Sequence, residues 1–193
     1  MADRYNSFYE LSAKEKLDID YKIRVSDCSS DVLILAPHGG FIEPGTSEIA
    51  EKLAGDNFSF YAFESLKRKP HSHFHITSHR FDEPKALSLV CRSLIAVAIH
   101  GRSNDGTEVV WLGGLATALR DAIGASLRKA GFSAEFNQRL AGLEPNNICN
   151  RALSGKGVQL ELPRSLRDRL MADPNLLQAF ADAVRTALYQ SIE

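Results

Sequence analysis

At 193 residues the chain can bury a core of its own but is too short for two full domains, so one domain over residues 1–193 is expected. Its 23 basic and 24 acidic residues leave a formal net charge of −1, without the basic excess of a nucleic-acid binder. No apolar run approaches the roughly 18–20 residues needed to cross a bilayer. The expectation is therefore a protein with no nucleic-acid and no membrane partner, present as a monomer or weak oligomer. Cys28, Cys91 and Cys149 fit no zinc-finger or CxxC spacing and read as three reduced thiols. The polar opening MADRYNSFYELSAKEKLDIDY lacks the apolar stretch of a signal peptide, which points to a cytoplasmic protein that would reach the outside by lysis or an unusual route.

The stretch up to about residue 30 reads as a short helix and an edge element. The run VLILA, residues 32–36, is apolar without alternation and stops at Pro37-His38-Gly39-Gly40, the pattern of a buried central strand entering a glycine turn. Residues 46–54 have helical spacing and close at Gly55. Residues 58–63 alternate as a strand, and residues 73–77 look extended. Asp82 is the expected N-cap of a helix with Pro84 in its first turn, carrying Ala86, Leu87, Leu89, Val90 and Leu94. Buried strands are expected at 95–99, ending in His100-Gly101, at 109–112 before Gly113-Gly114, and at 158–162. A helix spans 115–130 up to Gly131, residues 132–136 alternate again, and residues 174–192 are helical. Strands that alternate with helices and are apolar on both faces predict a three-layer α/β/α sandwich around a mostly parallel or mixed sheet. Ligands of such sheets sit beyond the carboxyl ends of the strands.

Two strands end alike, in LILAPHGG and AVAIHG. Each sets a histidine on a rigid strand end, followed by a glycine that lets the chain turn away. Five residues beyond His38, the loop FIEPG supplies Glu43. Two imidazoles and a carboxylate form a catalytic zinc set that leaves a fourth position for water, so His38, Glu43 and His100 are the candidate ligands. Glu161 lies in VQLEL between two leucines. A carboxylate there either faces outward from an edge strand or points into the pocket as a general base. Asn146, Asn147, Asn150 and Arg151 precede that strand and suit an anionic substrate, with Arg151 the best single candidate for binding and oxyanion stabilisation. Arg164, Arg167 and Arg169 read as a solvated helix face. His71, His73 and His75 alternate and would share one face of a strand, as a second metal site or a pocket wall; His79 is a further donor nearby. Ser78 and Arg80 are weaker candidates for substrate contact. Cys149, beside Asn150 and Arg151, is the one thiol to weigh as a nucleophile. There is no GxSxG elbow and no phosphate-binding loop.

The segments LAPHGGFIEPGTSEIA, HITSHRFDEPKAL, AVAIHG and NICNRALSGKGVQLELPRSLR resemble the poly-γ-glutamate hydrolase family, common in bacteriophages and prophages. The likeness covers roughly residues 32–170. The family looks like a compact relative of the zinc carboxypeptidases, though the spacing from His38 to Glu43 is longer than their HxxE. The resemblance implies zinc held by His38, Glu43 and His100, Glu161 at the place of the catalytic glutamate, and cleavage of γ-glutamyl amide bonds in an anionic polyglutamate. A zinc amidase acting on a small N-acyl amino acid or a cell-wall γ-D-glutamyl bond is the nearest alternative. A structural metal domain and a non-catalytic phage accessory protein tied to replication are the others.

Overall fold

The computed structural model describes residues 3–192, and its scaffold is one seven-stranded sheet. The strands are β1 (Tyr21–Ser26), β2 (Val32–Gly40), β3 (Ser59–Ser65), β4 (Ile95–Arg102), β5 (Val110–Gly113), β6 (Ala134–Phe136) and β7 (Val158–Pro163). Their order across the sheet is β1-β3-β2-β4-β7-β5-β6. The four central strands, β3, β2, β4 and β7, run parallel. β1 closes one edge antiparallel to β3, while β5 turns antiparallel against β7 and carries β6 beside it. The central strands are apolar on both faces because both faces are covered, as expected of parallel sheets.

Along β2, Val32, Ile34 and Ala36 face one core and Leu33 and Leu35 the other. The first core packs against the helices α2 (Thr46–Ala54), α4 (Thr117–Lys129), α5 (Arg164–Ala172) and α6 (Pro174–Ile192), through residues such as Leu53, Leu127, Leu170 and Phe180. The second packs against α1 (Phe8–Ser12), α3 (Pro84–Val90) and irregular segments that contribute Phe74, Ile76, Phe81 and Ile148. These layers make the expected α/β/α sandwich. Each fully buried large apolar side chain contributes about 1.5–3 kcal/mol, so the strand ends project from a stiff platform.

Several boundaries differ from the sequence expectation. Residues 73–77 form no strand: a 3-10 turn at His71–His73 leads into irregular chain. The N-cap of α3 is Glu83, whose carboxylate accepts from the Ala86 N–H at 2.8 Å, while Asp82 instead accepts from the Phe8 N–H at 2.5 Å. The helix stops at Val90 and leaves Leu94 exposed, because the Ser93 hydroxyl turns back onto the Leu89 carbonyl at 2.9 Å. α4 begins at Thr117 rather than at residue 115, since Asn150 Oδ1 accepts the Leu115 N–H and holds that residue outside the helix. Among the described residues, no helix is long and apolar enough to cross a membrane.

Candidate metal centre

β2, β4 and β7 run the same way, so their carboxyl ends meet at one rim of the sheet. On β4, Ala96 and Ala98 belong to the core beneath α1 and α3, and His100 continues that alternation. On β7, Glu161 is the in-register partner of His100. His38 is different: regular alternation would place it with Ala36, on the opposite face. The register of β2 against β3 shifts between Ala36 and Gly39, and this irregularity re-aims the ring toward His100, Phe81 and the Ile76 carbonyl. Glu43 comes back over the same rim. Its N–H donates to the His38 carbonyl at 2.9 Å, and Gly45 turns the loop with φ of 92°, a conformation open to glycine.

The three side chains meet. His38 Nδ1 lies 3.2 Å from His100 Nδ1 and 3.3 Å from Glu43 Oε1, and His100 Nδ1 lies 3.8 Å from Glu43 Oε2. His38 Nε2 donates to the Ile76 carbonyl at 2.8 Å, which leaves its Nδ1 as a lone pair facing the cluster. His100 Nε2 sits 3.4 Å from the Ser78 hydroxyl. The Gly101 N–H donates to Glu43 Oε2 at 2.7 Å and fixes the carboxylate. Zinc bonded at about 2.0–2.1 Å in tetrahedral geometry holds its donors about 3.3 Å apart, a spacing His38 Nδ1 makes with His100 Nδ1 and with Glu43 Oε1, while His100 faces the other carboxylate oxygen at 3.8 Å. His75 competes for the third place, with a donor atom within 4.8 Å of His38 and Glu43. Its Nδ1 is bonded to Asp3 at 2.7 Å, which leaves Nε2 open, so His75 is an alternative third donor; the 3.2 Å spacing from His38 favours His100.

The electrostatics ask for positive charge at this point. Burial opposes the charged form of His38, yet the adjacent Glu43 carboxylate outweighs it and raises the imidazole. Burial likewise opposes ionised Glu43, but His38, His71 and His100 hold it well below the usual carboxylate range. Burial and the neighbouring His38 push His100 down to about 4, so that ring is a neutral donor at pH 7. Glu161 is pushed up to about 8, by burial first and then by Glu43, against the pull of Arg102 and Arg167. Its Oε1 accepts from Gln159 at 3.1 Å.

A cleft of about 870 Å3 opens above these residues, and its walls carry Arg102, Arg139, Arg164 and Arg167 together with His71, His75 and His79. Arg102 is buried against the Trp111 ring, 3.8 Å from its centroid, and its Nε has no hydrogen-bond partner among the described residues. Arg167 is not on a solvated face: it is buried and donates to the carbonyls of Leu162, Pro44 and Arg102, tying β7, β4 and the Glu43 loop together. Arg169 does stay outside, paired with Glu108.

The positions of Arg80, Asn150 and Arg151 do not match the expectation that they meet substrate, for none of them lines the cleft. Arg80 is occupied by Asp3 and Asn6. Asn150 is buried and bonds four backbone groups, those of Leu115, Gly142, Glu144 and Gly157, so it is a loop staple. Arg151, expected to stabilise an oxyanion, instead reaches the Phe81 carbonyl at 3.4 Å. Cys149 is fully buried with its thiol pushed up to about 12 by burial, unfit as a nucleophile. Of the alternating histidines, His71 and His75 turn to the cleft, while His73 turns to Arg4 and Glu15. Sequence reasoning misses Arg102; its signal is its place two residues beyond His100 on the same strand end. Asp3 carried no signal, since its partners lie 72 to 77 residues away.

The sequence profile described as poly-gamma-glutamate hydrolase matches residues 5–190. The chain belongs to the poly-γ-glutamate hydrolase family. It is 41% identical over 169 residues to the SPbeta prophage-derived protein YoqZ of Bacillus subtilis (strain 168), covering 86% of this chain and 61% of that protein. It is 36% identical over 171 residues to YndL of the same organism, covering 87% of this chain and 67% of YndL. The chain thus spans about two thirds of the length of these relatives. Among solved structures, a bacteriophage poly-gamma-glutamate hydrolase superposes with a TM-score of 0.92 at 31% identity, with all of both chains covered. A structure described as YNDL-apo (Zinc-free) gives 0.89 at 33% identity, covering 98% of each chain. An N-acetylmuramoyl-L-alanine amidase from Clostridium difficile 630 gives 0.51 at 11% identity over 84% of this chain and 97% of that one, a likeness of fold alone. This poly-γ-glutamate hydrolase family member carries His38, Glu43, His100 and Glu161 together at one rim of its sheet.

Proposed function

We propose that this chain is a zinc-dependent hydrolase of γ-glutamyl amide bonds, with poly-γ-glutamate as its substrate. The observation that carries the reading is the meeting of His38, Glu43 and His100 at 3.2–3.8 Å beside Glu161, in a member of this family. A relative whose structure is described as zinc-free adds support for the metal. His38, Glu43 and His100 would hold the ion, and Ile76 and Ser78 orient the two rings from behind. The chemistry zinc supplies at such a site is Lewis acidity, which acidifies water and polarises an amide carbonyl.

The chain's own residues account for the remaining tasks. Glu161 stands beside His100; in the ionised form, which a cation held by His38, Glu43 and His100 would favour, it would take the proton of the attacking water and then pass it to the leaving amine. Arg102, Arg139 and Arg164 line the cleft and would bind the free α-carboxylates that a γ-linked glutamate chain carries at every residue, Arg102 and Arg164 sharing their charge with Asp105 and Asp168. Arg167, fully engaged with backbone carbonyls, holds the rim and adds charge near Glu161. A cleft of about 870 Å3 with a cationic wall suits a polyanion better than a small N-acyl amino acid.

Two measurements on one preparation test the reading: zinc content, and the chain-length distribution of poly-γ-glutamate after incubation. Wild type should hold about one zinc and shorten the polymer, and His38→Ala should do neither. Polymer cleavage by metal-stripped protein would overturn the metal assignment. Zinc binding without cleavage would overturn the substrate.

A further inference from the structure

The wall of the cleft beside the two histidines is held from the other end of the chain. The Asp3 carboxylate accepts hydrogen bonds from the His75 ring Nδ1 at 2.7 Å, the Thr77 N–H at 2.8 Å, the Thr77 hydroxyl at 2.6 Å and the Arg80 guanidinium at 3.0 Å. Between His75 and Thr77 lies Ile76, whose carbonyl receives the Nε2–H of His38 at 2.8 Å. The rest of the N-terminal arm is laced to the same segment. The Arg4 N–H donates to the Ser72 carbonyl at 2.8 Å, and the Phe8 N–H donates to Asp82 at 2.5 Å. The His75 ring, bonded to Asp3, packs against the His38 ring with centroids 4.0 Å apart and planes tilted by 37°.

The Ile76 carbonyl decides which nitrogen of His38 is free. With Nε2 bonded behind, Nδ1 is the only nitrogen that can serve the His38–Glu43–His100 cluster. A carbonyl displaced by a few tenths of an ångström weakens that preference. Both residues flanking Ile76 are fixed by one carboxylate, and that carboxylate must be the all-acceptor form, because every contact it makes is with a donor.

We propose that Asp3 is a positioning residue of the metal centre: by clamping His75 and Thr77 it fixes the Ile76 carbonyl that holds His38 in the tautomer with Nδ1 free. This rests on the metal reading given above. Asp3→Asn is nearly isosteric but sets an NH2 group either against the Thr77 N–H and Arg80 donors or against His75 Nδ1, which must then switch tautomer to accept from it, and it removes the charge, so it weakens the clamp without opening space.

The experiment measures zinc affinity by competition with a chromophoric chelator, and imidazole 15N shifts of the zinc-loaded protein, for wild type, Asp3→Asn, Thr77→Val and the exposed control Tyr9→Ser. Asp3→Asn should bind zinc about 10- to 100-fold more weakly, the effect typical of outer partners of metal ligands. It should also show His38 divided between Nδ1 and Nε2 coordination. Thr77→Val, which loses one of the four bonds and serves if Asp3→Asn does not fold, should weaken binding roughly two- to tenfold. Tyr9→Ser should match wild type. Wild-type affinity and a single His38 coordination mode in both clamp variants would overturn the role of Asp3 alone. A wild type that takes up no zinc would overturn the metal reading itself.

Discussion

His100 and Glu161 are paired in register on the adjacent parallel strands β4 and β7, so both side chains leave the same face of the sheet at the same rim. Parallel neighbours lie about 4.8 Å apart, which puts the carboxylate next to the candidate ligand without contributing to the His38–Glu43 pair. Ligand and base are thereby separable by mutation. Glu161→Gln should retain zinc at wild-type stoichiometry and lose at least about 100-fold in the rate of polymer cleavage. Comparable turnover in the two proteins would remove Glu161 from the proton-transfer role.

Zinc uptake should also register as stability. A ligand bound by the folded chain alone, at 100-fold excess over its Kd, adds about 2.7 kcal/mol to the unfolding free energy. The shift should appear in thermal melts on adding zinc, vanish with a chelator, and be absent in His38→Ala and His100→Ala. A His100→Ala protein that zinc still stabilises to the wild-type extent would move the third ligand to His75, whose donor atom is also near the pair.

The irregularity in β2 ends at Gly39. A Cβ built there would lie 1.9 Å from the Ser47 hydroxyl and 2.9 Å from the Glu64 side chain, both buried. Gly39→Ala must therefore displace the Ser47 and Glu64 side chains or shift β2, at an overpacking cost of about 1–3 kcal/mol. Because His38 is re-aimed at this same point, the variant should lose zinc affinity along with stability. Denaturant titration and chelator competition read the two effects separately; a stable Gly39→Ala that binds zinc normally would show that His38 does not depend on the bulge.

What the sequence made legible follows physical range. The apolar runs ending in His38 and His100 report burial on both faces, a property of the run itself, and the matching of the two ends pointed to one rim. Arg167 could not be read: in a helix of sequence RSLRDRLMA it looks solvated, and only the packing of α5 under Gly101 buries it. Arg151 and Asn150 carried the chemistry of an anion site in their residue types, but the loop around them spends that chemistry on backbone carbonyls and N–H groups. The alternation of His71, His73 and His75 suggested a strand, yet a 3-10 turn separates His73 from the other two. Contacts made across more than 70 residues, such as those of Asp3, leave no local pattern at all.

The buried thiol gives a simple negative test of nucleophilic catalysis. Cys149 is fully buried and its thiol is pushed up to about 12 by burial, whereas Cys28 and Cys91 are exposed. Under native conditions a maleimide should label Cys28 and Cys91 and spare Cys149, and labelling should become complete in denaturant. Cys149→Ala should cleave polymer at close to the wild-type rate. Loss of catalysis in a folded Cys149→Ala protein would return the thiol mechanism to consideration.

The Asp3 clamp predicts a particular pH dependence of stability. Burial opposes ionised Asp3, but hydrogen bonds from Thr77 and His75 outweigh it and hold the carboxyl at about 2, below the roughly 3.9 of an unfolded aspartate. A group whose folded pKa is depressed stabilises the fold fully above its unfolded pKa, and loses that contribution as pH falls toward the folded value. His75, pushed down to about 3 by burial and by His38, stays neutral over most of this range and keeps its N–H on the carboxylate. The difference in unfolding free energy between wild type and Asp3→Asn in zinc-free protein should therefore be constant from pH 7 to about 5. It should then shrink between about pH 4 and pH 2. Urea titrations at unit pH intervals follow it, and a difference that persists unchanged at pH 2 would mean that the carboxylate charge does not hold the clamp.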